Sequence, residues 1–175
     1  MPPQMTSTTV IAILTYAHVL SAMGWLGGGI LTTFVLGPNL KNLPPLASFA
    51  FNAKILPRIV MFVQMMIGST FLFGILLFYY TFNGEFSTLG STSQGMDIYA
   101  GIILALVVAA LAWVVNFPSF KKVTRISEDL LSRGGQEAPP ADLAKYSQRA
   151  RMGSMLGVLL LLVVLATMVY SSVAF

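Results

Sequence analysis

The chain has 175 residues, 56% of them hydrophobic and 9% charged, with a formal net charge of +4 and no cysteine. Soluble domains carry about 25% charged residues, so a chain this poor in charge cannot cover its own apolar surface in water, and the solvent implied for most of it is lipid. The lack of cysteine excludes disulfides, thiolate metal sites, iron–sulfur clusters and cysteine nucleophiles; the length suits one membrane domain over residues 1–175.

Four long apolar runs follow in chain order, at residues 9–36, 56–82, 98–117 and 152–174. Apart from Arg58 at the start of the second, none contains Asp, Glu, Lys or Arg. Each reaches the ~20 residues that a helix needs to cross ~30 Å of hydrocarbon. Membrane barrel strands would be about 10 residues long and alternating. Lipid offers the backbone no partners, so each run must satisfy its own N–H and C=O groups as a helix. The predicted fold is therefore all-α and integral to the membrane: four transmembrane helices in an antiparallel bundle. The first run exceeds the apolar region of a signal peptide, and no positive charge precedes it; it is expected to be a retained helix.

Between the runs, Pro38, Pro44, Pro45 and Pro57 bracket residues 46–54, which read as a short helix in the interface. Residues 83–97 are rich in Gly, Ser and Thr and read as irregular. In the long segment 118–151, Phe120, Val123, Ile126, Leu130 and Leu131 recur at helical spacing. Gly134 and Gly135 should stop that helix, and Pro139 and Pro140 should start another over 142–151 that leads into the fourth run. This predicts a helical hairpin extending helices three and four. Its basic face reads either as a contact with anionic lipid or as a solvated connector anchored by its charges.

All 10 Lys and Arg residues lie before or at the start of the second run, from Lys41 to Arg58, or between the third and fourth, from Lys121 to Arg151. The positive-inside rule places those two segments, the hairpin included, in the cytoplasm and both termini on the non-cytoplasmic side. A plasma membrane is the default address.

Membrane helices associate where small residues let backbones approach. Gly24 and Gly28 with Ala17 and Ser21, Gly68 and Gly74, Ala105, Ala109 and Ala112, and Gly153 and Gly157 give every helix such a face. These faces suit packing within the chain, a homo-oligomer, or a larger membrane complex. Methionines, phenylalanines, Trp25, Trp113 and Tyr170 suit packing, lipid contact or an aromatic belt. The bilayer is the expected partner, and no nucleic acid is.

Ionisable groups inside membranes are rare and usually functional. His18, the only histidine, lies in the first run, roughly 13 Å below the outer surface at ~1.5 Å per residue. Histidine is a common metal and haem ligand; the alternative is a ring hydrogen-bonded to Ser21, Thr15 or a neighbouring helix. Thr70 and Met168 fall near the His18 level, and Met168 would suit a second axial haem ligand or a soft copper ligand. Gln64, nearer the basic side, is expected to form an interhelical hydrogen bond worth ~0.6–2 kcal/mol. No nucleophile–base pair, intramembrane carboxylate pair or phosphate-binding loop is visible, so no enzymatic reaction is assigned.

The segment His18-Val-Leu-Ser-Ala-Met-Gly-Trp25-Leu-Gly27-Gly28 resembles the first-helix signature of the copper-resistance D superfamily: His, six residues, Trp, any residue, Gly-Gly. The related bacterial membrane protoporphyrinogen oxidases open similarly. That branch's lysine early in helix three is replaced here by Tyr99-Ala100-Gly101, and its Asn-Glu pair opening helix four by Arg151-Met152-Gly153-Ser154. The resemblance therefore implies a four-helix unit that handles haem b or copper, with His18 as ligand, and not porphyrinogen oxidation. Two further readings stand beside it: a non-catalytic accessory subunit of a larger membrane complex, and, ranked last, a small transporter with helix one interrupted at Gly27, Gly28 and Gly29.

Overall fold

The computed structural model describes residues 3–135 and 138–173, and all regular structure among them is helical. Four stretches are long and apolar enough to cross a membrane: Thr8–Leu40, Pro45–Phe82, Gly95–Ser132 and Ala141–Tyr170. Every one outlasts its apolar run, and the reasons are local.

Helix α1 (Pro3–Ile30) passes through a π-helical turn (Leu31–Leu36) into the short α2 (Gly37–Leu40). Proline lacks an N–H, and its ring clashes with the carbonyl four residues back. Just before Pro38 the chain widens by one residue, and the Gly37 N–H bonds to the Thr32 carbonyl five residues back. The same solution precedes Pro118. Helix α5 (Ser93–Leu111) enters a π turn (Ala112–Asn116), the Phe117 N–H bonds to the Ala112 carbonyl, and α6 (Phe117–Ser132) follows. Such turns usually occur singly within α-helices. Here two of them carry helices past prolines.

Helix α3 (Pro45–Lys54) leads through Ile55 into α4 (Leu56–Phe82). Asn83, in the left-handed region at φ 50°, ends α4. The segment read as irregular contains a 3-10 turn (Phe86–Ser91), and α5 begins before its apolar run because Thr92 caps it, its Oγ1 accepting from the Gly95 N–H at 3.0 Å. Helix α6 ends at two glycines with φ of 86° and 68°. The Gly135 N–H bonds to the Leu130 carbonyl at 2.9 Å and the Gly134 N–H to Leu131 at 3.1 Å, the paired closure typical of a helix ending in left-handed glycine. Helix α7 (Ala141–Val173) then runs unbroken; the predicted end at residue 174 lies outside the described residues.

Two apolar clusters hold these helices together. One gathers Trp25, Ile67, Val108, Ala109, Ala112, Phe117 and Leu161, so each long stretch contributes. The other gathers Phe49, Leu56, Val123, Leu130 and Leu143 at the end that carries the basic residues. It packs α6 and the start of α7 against α3, where Thr124 Oγ1 also donates to the Asn52 carbonyl at 3.1 Å. Lys121, Lys122 and Arg125 lie exposed on α6.

The small residues work mainly in two helix pairs, α1 with α4 and α5 with α7. A Cβ on Gly24 would lie 2.6 Å from Met66 Sδ, and one on Gly28 2.7 Å from Val63 Cγ2. Gly153 faces the Asn116 side chain so closely that any Cβ would collide with it, and Gly29 seats against Val158 to join α1 to α7. Gly68 departs from expectation, because a Cβ there would meet nothing within 4 Å. Six residues separate it from Gly74, which at ~100° per residue puts the two on different faces.

Candidate functional site: a histidine and a methionine, each over a glycine

His18 precedes Trp25 by two helical turns and shares its face of α1. Trp25 is buried and His18 half-buried. The His18 Nδ1 lies 2.9 Å from the Thr70 carbonyl oxygen on α4. A carbonyl only accepts, so Nδ1 carries a proton here, and the neutral tautomer compatible with this bond has its lone pair on Nε2. Of the partners weighed for this histidine, the neighbouring helix supplies the bond. Ser21 Oγ donates to the Ala17 carbonyl at 2.8 Å and Thr15 Oγ1 to Ile11 at 2.9 Å, both within α1. Thr70 Oγ1 donates to the Met66 carbonyl at 2.7 Å.

Gly74 makes the room. A Cβ there would sit 3.0 Å from His18 Cε1 and 3.1 Å from Nδ1. A similar arrangement holds on the other helix pair. Met168 lies two turns beyond the buried Leu161 on α7, and its methyl packs on Gly101 of α5, where a Cβ would approach Cε to 2.7 Å. Counted from the Gly29–Val158 contact, His18 and Met168 lie at nearly the same height. The two side chains pack on different helices: His18 rests on α4 and Met168 on α5. Gly74, Gly101 and the Thr70 carbonyl escape a motif search, because their contribution is empty space and a backbone oxygen. Thr70 was legible by height alone.

Among the described residues, no group of three or more His, Cys, Asp or Glu side chains converges on a point where a metal ion could sit. The donors available are one imidazole and one thioether. An imidazole and a thioether are both of the kind that serve haem as axial ligands, since haem brings its own four equatorial nitrogens.

Gln64 is half-buried, and its side chain forms no hydrogen bond within the described chain, against the interhelical bond expected of it. It lies one turn from Gly68 on the same face, and a Cβ on Gly68 would meet nothing within 4 Å. In the His-Trp-Gly-Gly segment, Gly28 serves contact with α4, whereas a Cβ on Gly27 would meet nothing within 4 Å.

Two cavities lie toward the basic end, and neither is lined by His18 or Met168. A small one, about 50 Å³, is lined by Trp25, Thr32, Asn116 and Ser154 among others. Asn116 Oδ1 is buried without a hydrogen-bond partner, as is Thr33 Oγ1; both belong to the π turns. A larger groove of about 490 Å³ is lined by residues of α1 and α4, including Gly24, Gly27, Gly28 and Arg58.

No family model, no curated protein and no solved structure matches the chain.

Proposed function

We propose that this is a membrane protein that holds haem b through His18 Nε2, in electron transfer or in handling haem, with Met168 as the second donor. The hydrogen bond from Nδ1 to the Thr70 carbonyl carries the reading. Ligating histidines typically donate their other ring N–H to a carbonyl, which fixes the tautomer and ring angle and raises the basicity of the ligating nitrogen. Haem, when bound, supplies one-electron redox chemistry. The chain's own residues orient the imidazole and present a thioether at its level, both within apolar membrane-spanning stretches. Copper is the alternative cargo. Its soft ligands would be the same two side chains, and a closed site would need donors from a second copy.

The topology proposed with this function is an antiparallel bundle in the plasma membrane, with both termini outside and the α6–α7 hairpin in the cytoplasm. It rests on the distribution of Lys and Arg. A single cysteine introduced at Ser91 should react with an impermeant maleimide on intact cells, and one at Ser132 only after permeabilisation. The reverse pattern would invert the topology.

The test of the function is an optical spectrum of detergent-purified protein, oxidised and then reduced with dithionite, beside His18→Ala. The expected result is a Soret band that sharpens on reduction and is lost in the variant. A spectrum without haem bands, and no copper by elemental analysis, would leave the accessory-subunit reading in front. That second reading has its own support on the face bearing Gln64 and Gly68: among the described residues the Gln64 amide forms no hydrogen bond, and a Cβ on Gly68 would meet nothing within 4 Å.

A further inference from the structure

The groove between α1 and α4 combines two properties that the haem reading does not use. Its α1 side is glycine at Gly24, Gly27 and Gly28, and Leu31, Ile59 and Phe62 supply apolar walls. Its volume, about 490 Å³, falls within the range of small-molecule sites, roughly 300–1,000 Å³. Its one charged lining residue is Arg58, which is exposed and forms no ion pair or side-chain hydrogen bond with any described residue. Arg58 also stands where the apolar run of α4 begins, at the border between hydrocarbon and polar surroundings. A guanidinium held there without an acidic partner among the described residues offers a fork of N–H donors to a phosphate.

We infer that this groove binds an anionic phospholipid, its phosphate on the Arg58 guanidinium and one acyl chain along the Gly27 face. Basic pockets between transmembrane helices are recognised sites for anionic headgroups. The charge argues against a second copy as the occupant. A two-fold contact would be isologous, so an axis through this groove would set two Arg58 side chains against each other. Gly24 and Gly28 also have their smallness explained already, since Met66 and Val63 of the same chain pack on them. Gly27 alone of the three faces free space, which is what an acyl chain requires.

The experiment uses the full chain, purified in neutral detergent and stripped of lipid. Thermal unfolding is followed against added dioleoyl phosphatidylglycerol, dioleoyl phosphatidylcholine or inorganic phosphate, and native mass spectrometry counts bound lipid. Phosphatidylglycerol should raise Tm saturably, with one tightly held molecule per chain, and the other two additives should not. Arg58→Gln should weaken that binding about tenfold, the worth of one charge-assisted hydrogen bond, and Arg58→Lys should weaken it less. Gly27→Leu, which fills the groove and leaves Arg58 in place, should also weaken it, whereas the pair Lys121→Gln and Lys122→Gln should not. Equal affinity for both phospholipids, or unchanged phosphatidylglycerol affinity in Arg58→Gln and Gly27→Leu, overturns the proposal. A wild-type dimer that Gly27→Leu converts to monomer would assign the groove to a second copy and overturn it as well. None of these readouts depends on haem.

Discussion

Replacing Gly74 with alanine tests the site where it receives the His18 ring. The new Cβ would stand 3.0 Å from His18 Cε1 and 3.1 Å from Nδ1, closer than ordinary van der Waals contact, so the ring must retreat by a few tenths of an ångström. The same retreat stretches the 2.9 Å bond to the Thr70 carbonyl toward the length at which an N–H···O bond fails. Overpacking costs about 1–3 kcal/mol, and a half-buried N–H that loses its partner adds about 1 kcal/mol. Alanine's better helix propensity returns about 1 kcal/mol. The expected net loss is about 1–3 kcal/mol, read as the unfolding midpoint in mixed detergent, with a shifted or weakened Soret band if haem is bound. Gly68→Ala is the control on the same helix: it meets nothing within 4 Å and should be neutral or slightly stabilising. The double variant His18→Ala with Gly74→Ala isolates the contact, since the cost of Gly74→Ala should vanish once the ring is gone. If Gly74→Ala matches Gly68→Ala in stability and spectrum, or costs as much without His18 as with it, the argument is refuted.

Other outcomes follow from the packing. Gly153→Ala drives a methyl into the Asn116 side chain and approaches Val115 Cγ1 to 3.2 Å, so it should lower stability by about 2 kcal/mol; Gly157→Ala, which meets Val108 Cγ1 at 3.8 Å, should change it little, both read by thermal unfolding. Gly135→Ala forces a side chain into φ 68° and onto Leu46, and should cost at least 1 kcal/mol and increase proteolytic cleavage near the turn. Gly101→Ala pushes on the Met168 methyl and, if Met168 is an axial ligand, should move the reduction potential while the His18-dependent Soret band persists.

The four apolar runs and the glycine stop of α6 were legible because each depends on a property local in sequence: a length of hydrocarbon, or a residue that tolerates positive φ. The prolines misled about where helices end. Pro38 and Pro118 are crossed by adding a residue to the turn before them, a backbone adjustment that leaves no compositional mark. The early start of α5 turned on one Thr92 hydroxyl in a segment whose glycines and serines otherwise suggest a loop. At the site, His18 stood out by chemistry and Thr70 by height. Gly74 and Gly101 did not, because which side chain a helical glycine receives depends on the rotation of two helices. The same holds for Gln64, because which group a helical amide meets also depends on how two helices are rotated.

The bond between His18 and the Thr70 carbonyl has a mechanical side. Its acceptor belongs to the α4 backbone, so no side-chain rotamer lies between the imidazole and that helix. A twist or slide of α4 along α1 must either carry the ring with it or break the bond. The ring is thereby geared to the relative position of two membrane helices, and the angle it presents at Nε2 is a readout of how those helices are set.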